Sequence, residues 1–242
     1  TIQYSLSRSG FSTEIPTKTD AGTYKVYYKV IGNDDYKDVS RTYTLTVTIA
    51  KKELTIKSVG VAEKTYDGTA TATIESVAFD GLCGSDSMTM GKDYTVTGAF
   101  ADANADPAKT VTGTVTLKNT VTNYTLPNGA YEQTAAIGKA AAPMVQDGTL
   151  DVINGTKQTY IYDFKDLLPE APKGTYGTVR YERTEPTIDL SRGYYLDQTT
   201  VEFEDGKLVL ASLSAEDAKQ TGMIGTIKVT VSTDNYANFT LT

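Results

Sequence analysis

Asp102, Asn104 and Asp106 stand at alternate positions, the first three ligand spacings of a calcium loop. A hard cation would also need a glycine at the sixth position for the sharp turn and a bidentate glutamate at the twelfth. Those positions hold Pro107 and Gly113, so the segment reads as a solvated loop between strands and no metal is assigned. Glu202, Glu204 and Asp205 bring together carboxylates of the kind glycoside hydrolysis uses in pairs. On a strand Glu202 and Glu204 share one face, and with Val201 and Phe203 pointing inward that face is the solvent side. The chain holds no histidine, which removes Ser-His-Asp and Cys-His catalysis and most zinc sites. It has neither a P-loop nor a Rossmann glycine triplet. Cys83, the only cysteine, cannot pair within the chain, and no basic cluster adjoins it to activate the thiol. A cross-link of Lys64 or Lys118 to Asn123 is chemically conceivable, but no spacing singles it out. No catalytic residue and no cofactor follows from these patterns.

Tyrosine is the remaining residue type that could do surface chemistry, with 17 copies among 242 residues. A flat apolar ring with a polar tip suits sugars and protein partners alike. Period-two alternation places Tyr24, Tyr28 and Tyr43 toward a core, which leaves Tyr27, Tyr194 and Tyr195 as candidate ligand contacts. The net charge of −7 arises from 23 scattered basic and 30 acidic residues, so a phosphate backbone is not an expected partner. No apolar run approaches the ~18 residues needed to cross a bilayer, and a monomer is the simplest state.

The elements that must carry these residues are strands. In Asp20-Ala-Gly22-Thr-Tyr24-Lys-Val26, a tyrosine stands where immunoglobulin-type sandwiches turn a hydroxyl back onto the upstream backbone. Asp20, Gly22 and Tyr24 therefore read as a structural corner. A pattern of Gly-Thr, alternating strand, then Asn or Asp with Tyr recurs three times, at Gly22 to Val47, Gly113 to Leu126 and Gly225 to Leu241. Each copy reads as a closing hairpin whose tyrosine caps the core and keeps its hydroxyl wet. Short strands are also predicted at Ile2 to Leu6 and Phe11 to Ile15. Polar loops are predicted at Asp80–Ser87, Ala101–Lys109 and Pro186–Thr199. Asp163 to Pro169 could hold one helical turn, and Ser214 could cap a short helix through Asp217. Charged Lys51–Glu53 and the Gly138–Pro143 stretch read as joints allowing limited bending. The expected fold is all-β: tandem immunoglobulin-like β-sandwich modules over 1–50, 51–139 and 144–242, with at most one or two short helices. Thr1 is not an initiator methionine and Thr242 ends within strand-like sequence, so the chain reads as a piece of a longer protein.

Lys64-Thr-Tyr66-Asp-Gly68-Thr, Phe100-Ala-Asp-Ala-Asn104, Thr110-Val-Thr112 and Asn123-Tyr-Thr-Leu126 together resemble the YDG repeat of bacterial surface proteins. Tyr4-Ser5, Ile15-Pro16, Asp20 to Val26 and Thr48-Ile-Ala-Lys51 are similar to the companion MBG-type Ig-like repeat. Residues 144–242 share only the Gly225-Thr to Leu241 pattern, as a divergent Ig-like module. The resemblance implies an exported, wall-associated protein, a first module truncated at its start, and no catalytic residues. Two functions follow as expectations: a non-catalytic extracellular stalk or spacer, or an adhesive module for glycan or host protein. An enzyme would need carboxylates converging in a cleft that nothing in the sequence demands.

Overall fold

A computed structural model describes residues 1–151, 158–184, 187–188, 202–211 and 225–242. Tyr194, Tyr195 and the Ser214–Asp217 helix lie outside the described residues, and so does the Pro186–Thr199 loop apart from Thr187–Ile188, which are strand rather than loop. The regular secondary structure of these residues is nearly all strand, and its one helical element is the 3-10 turn Phe164–Leu167, capped where Asp163 Oδ1 accepts from Lys165 N. The protein has an all-β fold.

β1 (Ile2–Ser5), β2 (Gly22–Val30) and β3 (Tyr43–Ile49) form an antiparallel sheet in that order. Val26 pairs with Leu45 and Tyr28 with Tyr43, whose rings stack at 5.1 Å. The face carrying Tyr24, Tyr28 and Tyr43 is not the closed core that alternation predicts. Those rings are half-buried, while Leu45 is 56% and Val47 38% exposed. Nor does Phe11 to Ile15 form a strand. Only Ser12 bridges to Tyr4, and Ile15 is exposed, because the run is polar and stops at Pro16.

β4 (Lys52–Glu53) occupies the expected first joint and pairs in parallel with β10 (Tyr124–Thr125). Between them come β5 (Thr55–Val61), β6 (Lys64–Thr65), β7 (Ile74–Asp80), β8 (Tyr94–Phe100) and β9 (Asp106–Leu117), and β11 (Ala130–Gly138) follows. β5 and β7 make a two-stranded sheet, while β6, β11, β9 and β8 make a four-stranded one in that order. Phe79 of β7 meets Tyr94 of β8 edge-on at 5.1 Å. Tyr131 lies across Gly98 and Gly113, and its hydroxyl donates to Thr97 O at 2.8 Å. A Cβ at Gly113 would sit 1.9 Å from Thr97 O, which accounts for glycine in this copy of the recurring Gly-Thr pair. β9 begins three residues before the end of the expected loop at Lys109. Pro107 is accommodated as its second residue, close to the strand start where a missing N–H costs least.

β12 (Thr159–Asp163), β13 (Val179–Arg183), β14 (Thr187–Ile188), β15 (Glu202–Glu204), β16 (Lys207–Ala211), β17 (Gly225–Thr226), β18 (Val229–Thr233) and β19 (Phe239–Leu241) are the remaining strands among the described residues. They make antiparallel sheets β12-β16-β15 and β13-β18-β19 and the pair β14-β17. Asp205 and Gly206 join β15 to β16 with φ of 45° and 80°, the left-handed pair a two-residue hairpin needs.

The chain packs as two compact units. One comprises Thr1–Val61, Thr73–Gly98 and Thr112–Gln133, and the other Ala62–Ala72, Ala99–Val111 and Thr134–Thr242. Leu54, Tyr94, Val115 and Tyr131 are buried in the first, and Val111, Ile137, Val229, Val231 and Leu241 in the second.

Candidate functional site

A dense polar structure among the described residues of the second unit is the turn after β6. Tyr66 N donates to Gly138 O at 2.8 Å, extending the parallel pairing of β6 with β11. Asp67 Oδ1 then accepts from Thr69 N at 2.9 Å, Thr69 Oγ1 at 2.8 Å and Lys64 Nζ at 2.8 Å. The Lys64 ammonium also reaches Thr69 O at 2.8 Å and Thr71 O at 3.2 Å, with the Phe100 ring 5.7 Å away. The Lys64 bond, followed by those from Thr69, lowers the Asp67 carboxyl to about 2. Gly68 has φ of 80°, and a Cβ on it would lie 3.2 Å from Gly174 N. A side chain there would be both strained and crowded.

This turn holds a buried ring against the C-terminal segment. The Tyr66 hydroxyl accepts from Thr175 N at 2.9 Å and donates to Thr175 O at 3.1 Å. Its ring meets Tyr236 edge-on at 5.6 Å, and Tyr236 meets Tyr176 at 5.1 Å. The Tyr236 hydroxyl donates to Lys173 O and accepts from Lys173 N at 2.7 Å. Beside it Asn235 is 0% exposed, with its side chain fully engaged. Its Oδ1 accepts from Ala105 N at 2.9 Å, and its Nδ2 donates to Asn104 Oδ1 at 3.1 Å and Thr175 O at 3.0 Å. Lys139 donates to Thr233 O, and Ala140 N to Asn235 O at 2.8 Å. The Gly138–Pro143 stretch therefore begins in paired backbone rather than as a free joint. A buried amide left without partners would cost about 1–3 kcal/mol, so these contacts hold their segments firmly.

The Tyr24 hydroxyl donates to Asp20 O at 2.8 Å, and a Cβ on Gly22 would lie 3.3 Å from that hydroxyl. Tyr27 is half-buried, with the Arg8 guanidinium 5.7 Å from its ring. Asp102 accepts from Asn104 N at 2.7 Å and pairs with the buried Lys109, which lowers its carboxyl from the ordinary value. Asn104 binds Asn235, and Asp106 accepts from Ala108 N at 2.9 Å. The three oxygen-bearing residues thus face protein donors. Among the described residues no group of three His, Cys, Asp or Glu side chains could hold a metal ion. Glu202 and Glu204 are exposed, and Asp205 pairs with Lys165 at 2.6 Å. Lys64 and Lys118 are not brought to Asn123, since Lys64 binds the Asp67 turn and Lys118 binds Gly91 O. Cys83 is exposed, with its backbone N–H donating to the Tyr124 hydroxyl at 2.9 Å.

The tyrosines of the recurring hairpins depart from the wet-hydroxyl expectation. Tyr36 is exposed, but Tyr124 and Tyr236 are buried and their hydroxyls bind protein groups. Asp86 accepts from Tyr124 and pushes its phenol up to about 12. Asn235, Tyr236 and Tyr66 were legible only as turn and core residues. The signal for more was the Asn-Tyr dipeptide at both 123–124 and 235–236. No helix among the described residues is long and apolar enough to cross a membrane. No curated protein and no solved structure matches the chain. Residues 50–136, which contain the Lys64–Thr71 turn, match the YDG domain.

Proposed function

We propose that this chain is a non-catalytic spacer region of a bacterial surface protein. Its modules would be an MBG-type 1–50, a YDG-type 51–139 and a divergent Ig-like 144–242, standing outside the cell. One observation carries the reading. Around the YDG-matched region, the chain enters through β4, paired in parallel with β10, and leaves through β11, paired in parallel with β6. Tension along such strands loads their hydrogen bonds together in shear, rather than peeling them one at a time. Single-molecule stretching of the chain tests this. The expected record has abrupt, high-force steps, with the YDG-matched region releasing on the order of 300 Å of contour. Smooth extension at low force would overturn it.

A second reading, adhesion to a glycan or host protein, is favoured by the open β1–β3 face with its stacked Tyr28 and Tyr43 and exposed Leu45. A glycan and matrix-protein array tests it. A signal abolished by Leu45→Asp or by Tyr28→Ala would move adhesion ahead of the spacer reading. A blank array would leave the spacer reading in place.

A further inference from the structure

Two places far apart in sequence carry the same contact. In the first unit, Asn123 Oδ1 accepts from Ala21 N at 2.8 Å, and its Nδ2 donates to the side chain of the preceding residue, Asp20, at 3.0 Å. In the second, Asn235 Oδ1 accepts from Ala105 N at 2.9 Å, and its Nδ2 donates to the side chain of the preceding residue, Asn104, at 3.1 Å. In both, an Asx-Ala pair presents one side-chain oxygen and one backbone N–H, and the asparagine amide answers both. The carbonyl of each asparagine is used alike as well. Asn123 O accepts from Lys52 N at 2.9 Å and Asn235 O from Ala140 N at 2.8 Å. Both donors lie in the stretches read as joints, and both sit in parallel pairings, Lys52 with Tyr124 and Ala140 with Tyr236. The following tyrosine completes the likeness. Tyr124 accepts from Cys83 N at 2.9 Å and Tyr236 from Lys173 N at 2.7 Å, each a loop of the tyrosine's own module.

The partners are 103 residues apart in sequence at the first place and 131 at the second. Equal spacing along the chain is therefore not what generates the equal geometry. We infer that the Asp20-Ala21 and Asn104-Ala105 turns are docking surfaces, each fitted to the Asn-Tyr hairpin of the module that follows it. Asn123 and Asn235 are the locks, reading the earlier module with the side chain and the connecting strand with the carbonyl. An amide suits this task because it offers an acceptor and a donor side by side. Aspartate would lose the donor and alanine both groups. The second junction is reinforced by Tyr66, whose hydroxyl holds both backbone groups of Thr175. In the remaining hairpin copy, the first along the chain, Asn33 caps its own turn, accepting from Tyr36 N at 3.0 Å and Asp35 N at 3.3 Å. It locks nothing else and is the internal control. The inference rests on the module division but not on the spacer reading, and it holds equally for an adhesive chain.

Amide hydrogen exchange on the full chain, resolved to single residues, tests it. Asn123→Ala is expected to speed exchange at Ala21 and Lys52 by roughly tenfold and leave Ala105 and Ala140 unchanged. Asn235→Ala is expected to do the reverse, and Asn33→Ala to change none of the four. Limited proteolysis should follow the same pattern, with new cleavage near Lys51–Glu53 in the first variant and near 138–143 in the second. Equal acceleration at both junctions by either variant, or less than a twofold change at the paired one, would overturn the inference. Asn235 is fully buried and its alanine variant could fail to fold. The half-exposed Asn123 then decides the matter alone, and stretching or array results bear on neither variant.

Discussion

β3 and β18 are written alike and end differently. β3 reads Tyr-Thr-Leu-Thr-Val-Thr-Ile and β18 reads Val-Thr-Val-Ser-Thr, each an apolar residue alternating with a hydroxyl. Each lies in a three-stranded antiparallel sheet. Yet Val229 and Val231 are fully buried, while Leu45 is more than half exposed. The difference is the second layer. The β18 strand and its neighbour β19 have Tyr176 against Phe239, with Tyr236 and Tyr66 continuing the aromatic cluster. The β3 face has only half-buried rings of its own sheet. Alternation states which residues share a face, and it does not state whether anything covers that face.

Truncating the covered sheet should do the most damage. Leu241→Ala in β19 removes a fully buried side chain and is expected to cost about 2–5 kcal/mol in chemical denaturation. A loss below about 1 kcal/mol would mean that the second layer is looser than its burial implies. Gly113→Ala comes next. Its new Cβ collides with the Thr97 backbone, and overpacking of this kind costs about 1–3 kcal/mol. Tyr66→Phe keeps the ring against Tyr236 and strands both bonds to Thr175. We expect about 1–2 kcal/mol, with faster amide exchange at Thr175.

Acid probes the turn beneath that ring. The folded Asp67 carboxyl lies at about 2 against an ordinary 3.8. A lowered value means that its contribution is complete above pH ~4 and is lost as the pH falls toward 2. Asp67 is substantially exposed, so Asp67→Asn should cost only about 0.3–1 kcal/mol at neutral pH. Its thermal midpoint should fall less steeply than that of the natural chain between pH 4 and 2. Leu45→Thr is the smallest effect and the other pole of the comparison. A change within about 0.5 kcal/mol is expected, and a loss as large as that of Leu241→Ala would show that the open face is covered in solution.

Several features were legible from local chemistry. The Asp205-Gly206 hairpin follows from two residues that tolerate positive φ. The strand Ile2–Ser5 falls within the predicted Ile2 to Leu6 stretch, and the helical turn at Phe164 follows its Asp163 cap. The Asp20-x-Gly22-x-Tyr24 spacing points to the hydroxyl bond that Tyr24 makes. The locks at Asn123 and Asn235 were visible only as turn-forming asparagines. Their partners lie 103 and 131 residues away, and no local pattern encodes a distant acceptor. The charged Lys51–Glu53 stretch misled in the same way, since β4 gains its order from β10 and not from its own residues.

By itself the sequence determined that the chain would be strands, where most of them turn, and which side chains share a face. Those are properties of neighbours in the chain, set by steric preference and a two-residue period. Tertiary structure decided which faces close, which tyrosines bury their hydroxyls and which asparagines join one segment to another. Burial and hydrogen-bond partners depend on what the fold brings across from elsewhere in the chain, and a period carries no information about that second surface.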